Sequence, residues 1–254
     1  MQILSIACQK GGVGKTTSAI NLAYGLAAVG RRVLLIDTDP QASLSLAVGI
    51  NPERDNLKDV LGGARPGRLP MSAIIKPLAE GIDLAPPGFD LAGCELDLGQ
   101  RLGREGVLKR ALATVAGYDI AILDTPPSFG LLVLNCLGAS HAVIAPVVPD
   151  PLGLRGLALF LDNLGRIQGE LNPDLNILGC IVCQYDKRST LHRASLDHLR
   201  AEKLPVLAVI KKSIQAARAA GQGKPITTGD LRDQYQELTR EVERWLLKKT
   251  MKLP

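Results

Sequence analysis

A short apolar run, residues 2–8, leads directly into Gln9-Lys10-Gly11-Gly12-Val13-Gly14-Lys15-Thr16-Thr17, and a helical pattern starts near residue 15. No other stretch restricts the fold so tightly. Glycines let backbone N–H groups turn inward, and the helix that follows aims its positive dipole end at the same point, so the segment is built to hold phosphate oxygens. Lys15 is placed to neutralise β- and γ-phosphate charge, and the Thr16 hydroxyl to ligate Mg²⁺. The common phosphate-loop pattern G-x-x-x-x-G-K-[ST] opens with a glycine five residues before Gly14. In this chain Gln9 holds that place and a second lysine, Lys10, follows it.

The remainder of the chain alternates between two kinds of segment. Short β-branched or leucine-rich runs at 2–8, 33–37, 82–85, 120–124, 142–147, 177–183 and 206–210 are interleaved with helical patterns near 15–29, 104–115, 130–138, 152–167, 193–201 and 230–249. Several strands are apolar on both faces, as buried parallel strands are. The expected fold class is therefore α/β, a doubly wound, mostly parallel sheet flanked by helices, with ligands at the carboxyl ends of the strands. No repeat or linker composition interrupts the 254 residues, so one domain over 1–254 is expected, and the Gly- and Pro-rich stretch 62–70 reads as an exposed loop.

Composition closes off other classes. With 46% hydrophobic and 22% charged residues the chain can bury a core, which excludes disorder, collagen and coiled coil. No window reaches ~18 consecutive apolar residues, and the N-terminus lacks a secretory leader pattern, so a cytoplasmic location is expected. The five cysteines, at 8, 94, 136, 180 and 183, read as small core residues. Cys180 and Cys183 have metal-motif spacing, but strand alternation sends them to opposite faces.

Two carboxylate segments complete the site. One strand runs into Asp37-Thr38-Asp39-Pro40-Gln41, and another into Asp124-Thr125-Pro126-Pro127. Carboxylates there can hold Mg²⁺ through water and orient an attacking water. Asp37 admits two readings, a magnesium-supporting group or a structural acceptor at the strand end.

The segment Lys10 to Thr17 resembles the deviant Walker A loop of the ParA/MinD ATPases. Ser128-Phe129-Gly130-Leu131-Leu132, Leu154-Arg155-Gly156-Leu157 and Gly223-Lys224-Pro225-Ile226 are similar to three later motifs of that family in the same order. The chain is identified as similar to small Soj-type ParA proteins, without room for the N-terminal helix-turn-helix of larger plasmid types. The resemblance implies a P-loop NTPase fold that binds ATP and Mg²⁺ through Lys10, Gly11, Gly12, Val13, Gly14, Lys15, Thr16 and Thr17; Gln184 and the turn around Pro225 are the candidates for contact with the base. It assigns catalysis to Lys10, Lys15 and Asp39. Lys10 reaches the partner's nucleotide in an ATP dimer and Asp39 positions water. Thr16, Asp37 and Asp124 are the metal-site candidates.

The same resemblance implies an ATP-dependent homodimer that binds double-stranded DNA without sequence preference, and slow hydrolysis stimulated by a ParB-like or other cargo adaptor. It also implies nucleoid association and segregation of plasmid or chromosome DNA, or positioning of a protein cargo such as a carboxysome or chemoreceptor cluster. Charge is asymmetric: residues 1–186 carry 15 basic and 18 acidic side chains, residues 187–254 carry 15 and 7, which points weakly to a polyanion or an anionic membrane surface, while charge alone favours solvated helix faces. Candidate DNA contacts are Arg188, Lys211, Lys212, Arg218 and Lys224. Aromatic residues are only 3% of the chain, so phosphate contact rather than base stacking is expected. The family's P-R-x-x-R-L-S-E segment is altered here, with Gln215 at the second arginine and Arg218 at the glutamate.

Three alternatives share the loop. A MinD-like membrane ATPase would use the stripe Tyr235, Leu238, Val242, Trp245 and Leu246 as an amphipathic anchor, but a stripe this long is ordinary packing and a last helix docked on the core is the preferred reading. An iron protein like that of nitrogenase would need cluster cysteines, with Cys94 and Cys136 as candidates. A bacterial tyrosine kinase would end in a tyrosine cluster, and this chain has a lone Tyr235 there.

Overall fold

The computed structural model describes residues 1–62 and 69–250. Eight strands form one sheet in the order β3-β4-β2-β5-β1-β6-β7-β8. They are β1 (Gln2–Ile6), β2 (Val33–Asp37), β3 (Lys76–Ala79), β4 (Ile82–Ala85), β5 (Ile120–Asp124), β6 (Ala142–Val147), β7 (Asn176–Tyr185) and β8 (Val206–Lys211). Every neighbouring pair is parallel except β3 with β4. From β1 the chain crosses to β2 and on to the β3–β4 edge, then returns to insert β5 between β2 and β1 and continues past β1 to β6, β7 and β8, so the winding direction reverses beside β1, and in such folds the crevice at the reversal is where ligands bind.

Side-chain alternation builds two core layers. Leu4, Ile6, Leu35, Ile122, Ile144 and Ile181 face α1 (Lys15–Ala28) and α11 (Gly229–Thr250). Leu34, Ile36, Ala121 and Leu123 point the other way, toward α3 (Leu57–Leu61), α4 (Met71–Ile74), α5 (Leu91–Gly99), α6 (Val107–Leu112) and α7 (Leu131–Ala139). Further along that face, Val143, Ala145, Cys180 and Val182 pack on α8 (Pro151–Glu170) and α9 (Thr190–Ala201). Strands with both faces covered are apolar throughout, which is why the sequence displays them as continuous runs.

Strands 33–37, 82–85, 120–124 and 142–147 stand where expected. The first strand stops at Ile6 rather than 8, because Ala7 and Cys8 already turn toward the glycine loop. The helix expected over 104–115 is a 3-10 turn at Arg104–Gly106 followed by α6, with glycines at 103 and 106 preventing a longer start. Not anticipated were the edge strand β3, the short helices α2 (Ser43–Ala47), α3, α4 and α5, and α10 (Ile214–Gly221). Of the loop expected over 62–70, residues 63–68 lie outside the described residues.

The cysteine and C-terminal expectations resolve by burial. All five cysteines are buried free thiols, with Cys180 and Cys183 in opposite layers and Cys94 and Cys136 inside the core beneath α5 and α7. In α11, Tyr235, Leu238, Val242, Trp245 and Leu246 all lie in the core layer shared with α1. The apolar stripe is an interior face of the folded chain. No helix among the described residues is long and apolar enough to cross a membrane.

Candidate functional site

The carboxyl ends of β1, β2, β5, β7 and β8 converge on one cavity of about 1250 Å³. Gly11, Gly12, Gly14, Lys15, Thr16 and Thr17 line it together with Asp39, Ser43, Gln184 to Arg188 and Lys211 to Ile214. Gly12 at φ 70° and Gly14 at φ 97° take left-handed conformations that a side chain would oppose. Gly14 also precedes the first residue of α1, so the free N–H groups of that helix point into the cavity. A Cβ on Gly14 would in addition approach Cys183 Sγ to 3.3 Å.

The two loop lysines point to different places. Lys15 is buried, and its Nζ donates to the Lys10 carbonyl at 3.3 Å, spanning the mouth of the loop. Lys10 lies beside the cavity without lining it, and its ammonium meets Asp150 Oδ1 at 3.6 Å. Asp150 also caps α8, accepting from the Gly153 N–H at 2.6 Å.

Asp37 and Asp124 are register partners at the ends of β2 and β5, and both are buried. Burial raises both carboxyls above the ordinary carboxylate range, with the charge of Asp37 adding to it at Asp124 and that of Asp39 at Asp37. Their hydrogen bonding differs. Asp124 Oδ2 accepts from the Thr16 hydroxyl at 2.7 Å, whereas Oδ1 has no partner among the described residues. A buried carboxylate oxygen without a donor is costly unless a cation completes it, and together with the Thr16 hydroxyl it is a donor set suited to Mg²⁺. Asp37 instead has both oxygens engaged. Oδ1 accepts from the Asp39 N–H at 3.1 Å, and Oδ2 from the Ser45 N–H at 2.9 Å and hydroxyl at 2.8 Å. That arrangement matches the structural-acceptor reading of Asp37.

Other ties hold the strand ends together. Thr38 donates through its hydroxyl to the Asp124 carbonyl at 2.7 Å, and Thr125 to the Ile6 carbonyl at 3.0 Å, crosslinking β2, β5 and β1 where the carboxylates emerge. Gln184, in a left-handed conformation at φ 57°, donates from Nε2 to the Gly12 carbonyl at 2.6 Å. The Gln184 bond was not legible in sequence, because nothing local relates residue 184 to residue 12.

The basic candidates fall into two groups. Arg188, Lys211 and Lys212 stand on the rim of the large cavity, while Arg218 and Lys224 line a second cleft of about 450 Å³ together with Pro225. Ile214 belongs to both walls. Pro225 therefore lies outside the phosphate-loop cavity where a base contact was expected. Arg188 makes a two-pronged pair with Asp186, and Lys211 meets Asp230 at 2.7 Å. Lys212, Arg218 and Lys224 have no carboxylate within 4 Å among the described residues, and all three are exposed.

Comparison with known proteins agrees with this geometry. A family model described as an AAA domain matches residues 1–177. The chromosome partitioning protein ParA of Caulobacter vibrioides is 38% identical over 253 residues, covering 95% of this chain and 94% of that one. The sporulation initiation inhibitor protein Soj of Bacillus subtilis is 36% identical over 250 residues, covering 95% and 98%. Among solved structures, cobyrinic acid a,c-diamide synthase from Mycobacterium smegmatis, with bound ATP analogue and magnesium, superimposes with a TM-score of 0.84 at 38% identity, covering 100% of this chain and 98% of that one.

Proposed function

Because the chain belongs to the ParA/Soj family of partitioning ATPases, we propose that its ATP-bound dimer binds DNA without sequence preference and that hydrolysis, stimulated by a ParB-like or other cargo adaptor, releases it. The cofactors are ATP and Mg²⁺. Bound Mg²⁺ supplies charge neutralisation at the β- and γ-phosphates. The chain's own groups do the rest. The phosphate loop and Lys15 hold the phosphates, Thr16 and Asp124 hold the metal, and Asp39 orients the water whose attack on the γ-phosphorus breaks the bond to the β-phosphate oxygen, giving ADP and phosphate. Lys10 acts across the dimer. Its turn away from its own cavity toward Asp150 supports that assignment.

The observation that carries the reading is a cavity lined both by the phosphate loop and by the basic side chains Arg188, Lys211 and Lys212, with Arg218 and Lys224 in a second cleft that shares Ile214 with it. ATP and DNA phosphates would then be held by neighbouring parts of one surface. Lys212, Arg218 and Lys224, with no carboxylate within 4 Å among the described residues, supply the DNA contacts, and Arg188 and Lys211 contribute less because each is paired with an acidic side chain. One sheet drawn from all parts of the described chain supports a single ATPase domain over 1–254. A cytoplasmic, nucleoid-associated location follows from the same reading. Burial of the α11 stripe argues against the membrane-positioned alternative.

The test is binding of a fluorescent random duplex at two salt concentrations, with ATP and with ADP, beside anionic liposomes. The expected result is ATP-dependent duplex binding that weakens steeply with salt as counterions are displaced, with doubling of contacts in the dimer making it nucleotide-dependent. Arg218→Glu should weaken it more than Arg188→Glu, with ATP-driven dimerisation intact. Salt-insensitive binding, equal binding with ADP, or a preference for liposomes would overturn the reading.

A further inference from the structure

Residues 37–45 form a closed loop beside the phosphate cavity, fastened to one buried carboxylate at both ends. β2 delivers Asp37 to the sheet edge, and the next residues turn sharply. The Asp39 carbonyl accepts from the Ala42 N–H at 2.8 Å, its Oδ1 accepts from the Gln41 N–H at 3.0 Å, and Ala42 sits in the left-handed region at φ 53° although it is not glycine. A fully buried alanine in that conformation persists only where its surroundings dictate it. The chain then enters α2, and from its third residue Ser45 reaches back to Asp37 with backbone N–H and hydroxyl, both to Oδ2. Oδ1 of the same carboxylate accepts the Asp39 N–H. Ser45, Asp37 and Asp39 are thereby linked in one hydrogen-bonded path, with Ser45 fully buried and Asp39 on the cavity wall.

From this path we infer that Ser45 is a positioning residue for ATP hydrolysis: by fixing the orientation of Asp37 it fixes the backbone at Asp39, and so the place where the Asp39 carboxylate holds water. The inference rests on the assignment of water positioning to Asp39. Ser45 does not line the cavity, so its removal is expected to leave nucleotide binding intact. A carboxylate with three donors is locked in one rotamer, whereas losing the hydroxyl leaves Oδ2 with the Ser45 N–H alone, and the turn through Asp39 gains freedom. Errors of this size at a positioned group lower the rate of the chemical step while leaving substrate affinity unchanged.

The experiment compares ATP turnover, ATP affinity and ATP-dependent dimerisation for Ser45→Ala, Ser45→Thr, Ser45→Cys, Asp39→Ala and the Ser45→Ala/Asp39→Ala double variant. Ser45→Ala should lower kcat about tenfold with ATP affinity and dimerisation within about twofold of wild type. Ser45→Thr, which keeps the hydroxyl, should retain turnover, and Ser45→Cys, which keeps volume with a weak donor, should behave as Ser45→Ala and serves if the alanine variant folds poorly. The double variant should turn over no more slowly than Asp39→Ala, because both act through one group. Wild-type turnover in Ser45→Ala and Ser45→Cys beside an inactive Asp39→Ala overturns the role of Ser45 and leaves that of Asp39 standing. Wild-type turnover in Asp39→Ala overturns both. Additive losses in the double variant, parallel loss of ATP affinity, or an equal loss in Ser45→Thr overturns the path through Asp37.

Discussion

The Thr16 hydroxyl donates a 2.7 Å hydrogen bond to Asp124 Oδ2, while the other oxygen of that buried carboxylate has no donor among the described residues. The two residues proposed to hold Mg²⁺ are thus already joined by the protein's own hydrogen bond. The electrostatic cost of the buried carboxylate has a pH signature. Burial and Asp37 hold the Asp124 carboxyl above its ordinary range in the folded chain, so between the unfolded and folded values the native state binds more protons than the unfolded state. Stability of the metal-free protein therefore falls as pH rises through that window. In Asp124→Asn this contribution is absent. Its melting temperature relative to wild type, measured in chelator, should rise by at least about 3 °C between pH 5 and pH 8, corresponding to ~1 kcal/mol for a chain of this size. A difference that stays constant with pH would place the cost elsewhere.

The loop lysines should separate by assay. Lys15→Ala removes a buried charge facing the phosphates and should weaken ATP binding at least about 100-fold, ~3 kcal/mol, by calorimetry. Lys10→Ala should leave monomers binding ATP within about threefold and abolish ATP-dependent dimers in light scattering. Retained dimers would remove the cross-dimer role. The Lys10 pair with Asp150, at 3.6 Å and one-third exposed on both sides, is worth at most ~1 kcal/mol, weak enough to release Lys10 on dimerisation.

Gly223 should tolerate no side chain. It lies at φ 58°, and a Cβ there would sit 2.4 Å from the Ala47 carbonyl oxygen and from Val48 Cα, both backbone atoms. Gly223→Ala should cost about 2–4 kcal/mol, seen as a melting-temperature fall of roughly 5–15 °C. Gly221→Ala is the control, because a Cβ at 221 has nothing within 4 Å, and it should be neutral.

Helix α11 should behave as core. Leu238 is fully buried against α1, so Leu238→Ala should destabilise by about 2–5 kcal/mol in denaturant unfolding, while Leu247→Glu, at 47% exposed, should change stability by less than about 0.5 kcal/mol. Flotation with anionic liposomes should leave the wild-type chain at the bottom of the gradient. Co-flotation would show that α11 leaves the core.

The strands and the phosphate loop were legible in the chain because their signals are local. A strand buried on both faces must be apolar at every position, as Leu34, Leu35 and Ile36 are, and a phosphate loop must carry Gly12 and Gly14 where backbone alone can turn. The ends of those strands then placed Asp39 and Asp124 beside the loop from spacing alone. Helices α2 to α5 were not legible, since at four to nine residues they are too short to show a helical period and depend on tertiary packing, α2 through Leu44 in the layer of Leu4 and Ile6, and α3 to α5 in the layer of Leu34, Ile36 and Leu123. The engagement of Asp37 by Ser45, the reach of Gln184 to Gly12 and the pairing of Arg188 and Lys211 with acidic side chains also needed the folded chain. Hydrogen bonds and ion pairs are set by three-dimensional distance, and no rule of sequence distinguishes a lysine facing Asp230 from one facing solvent. The apolar stripe of α11 makes the same point: its residues specify an amphipathic helix, and only its packing against α1 decided that the stripe faces a protein interior rather than a lipid surface.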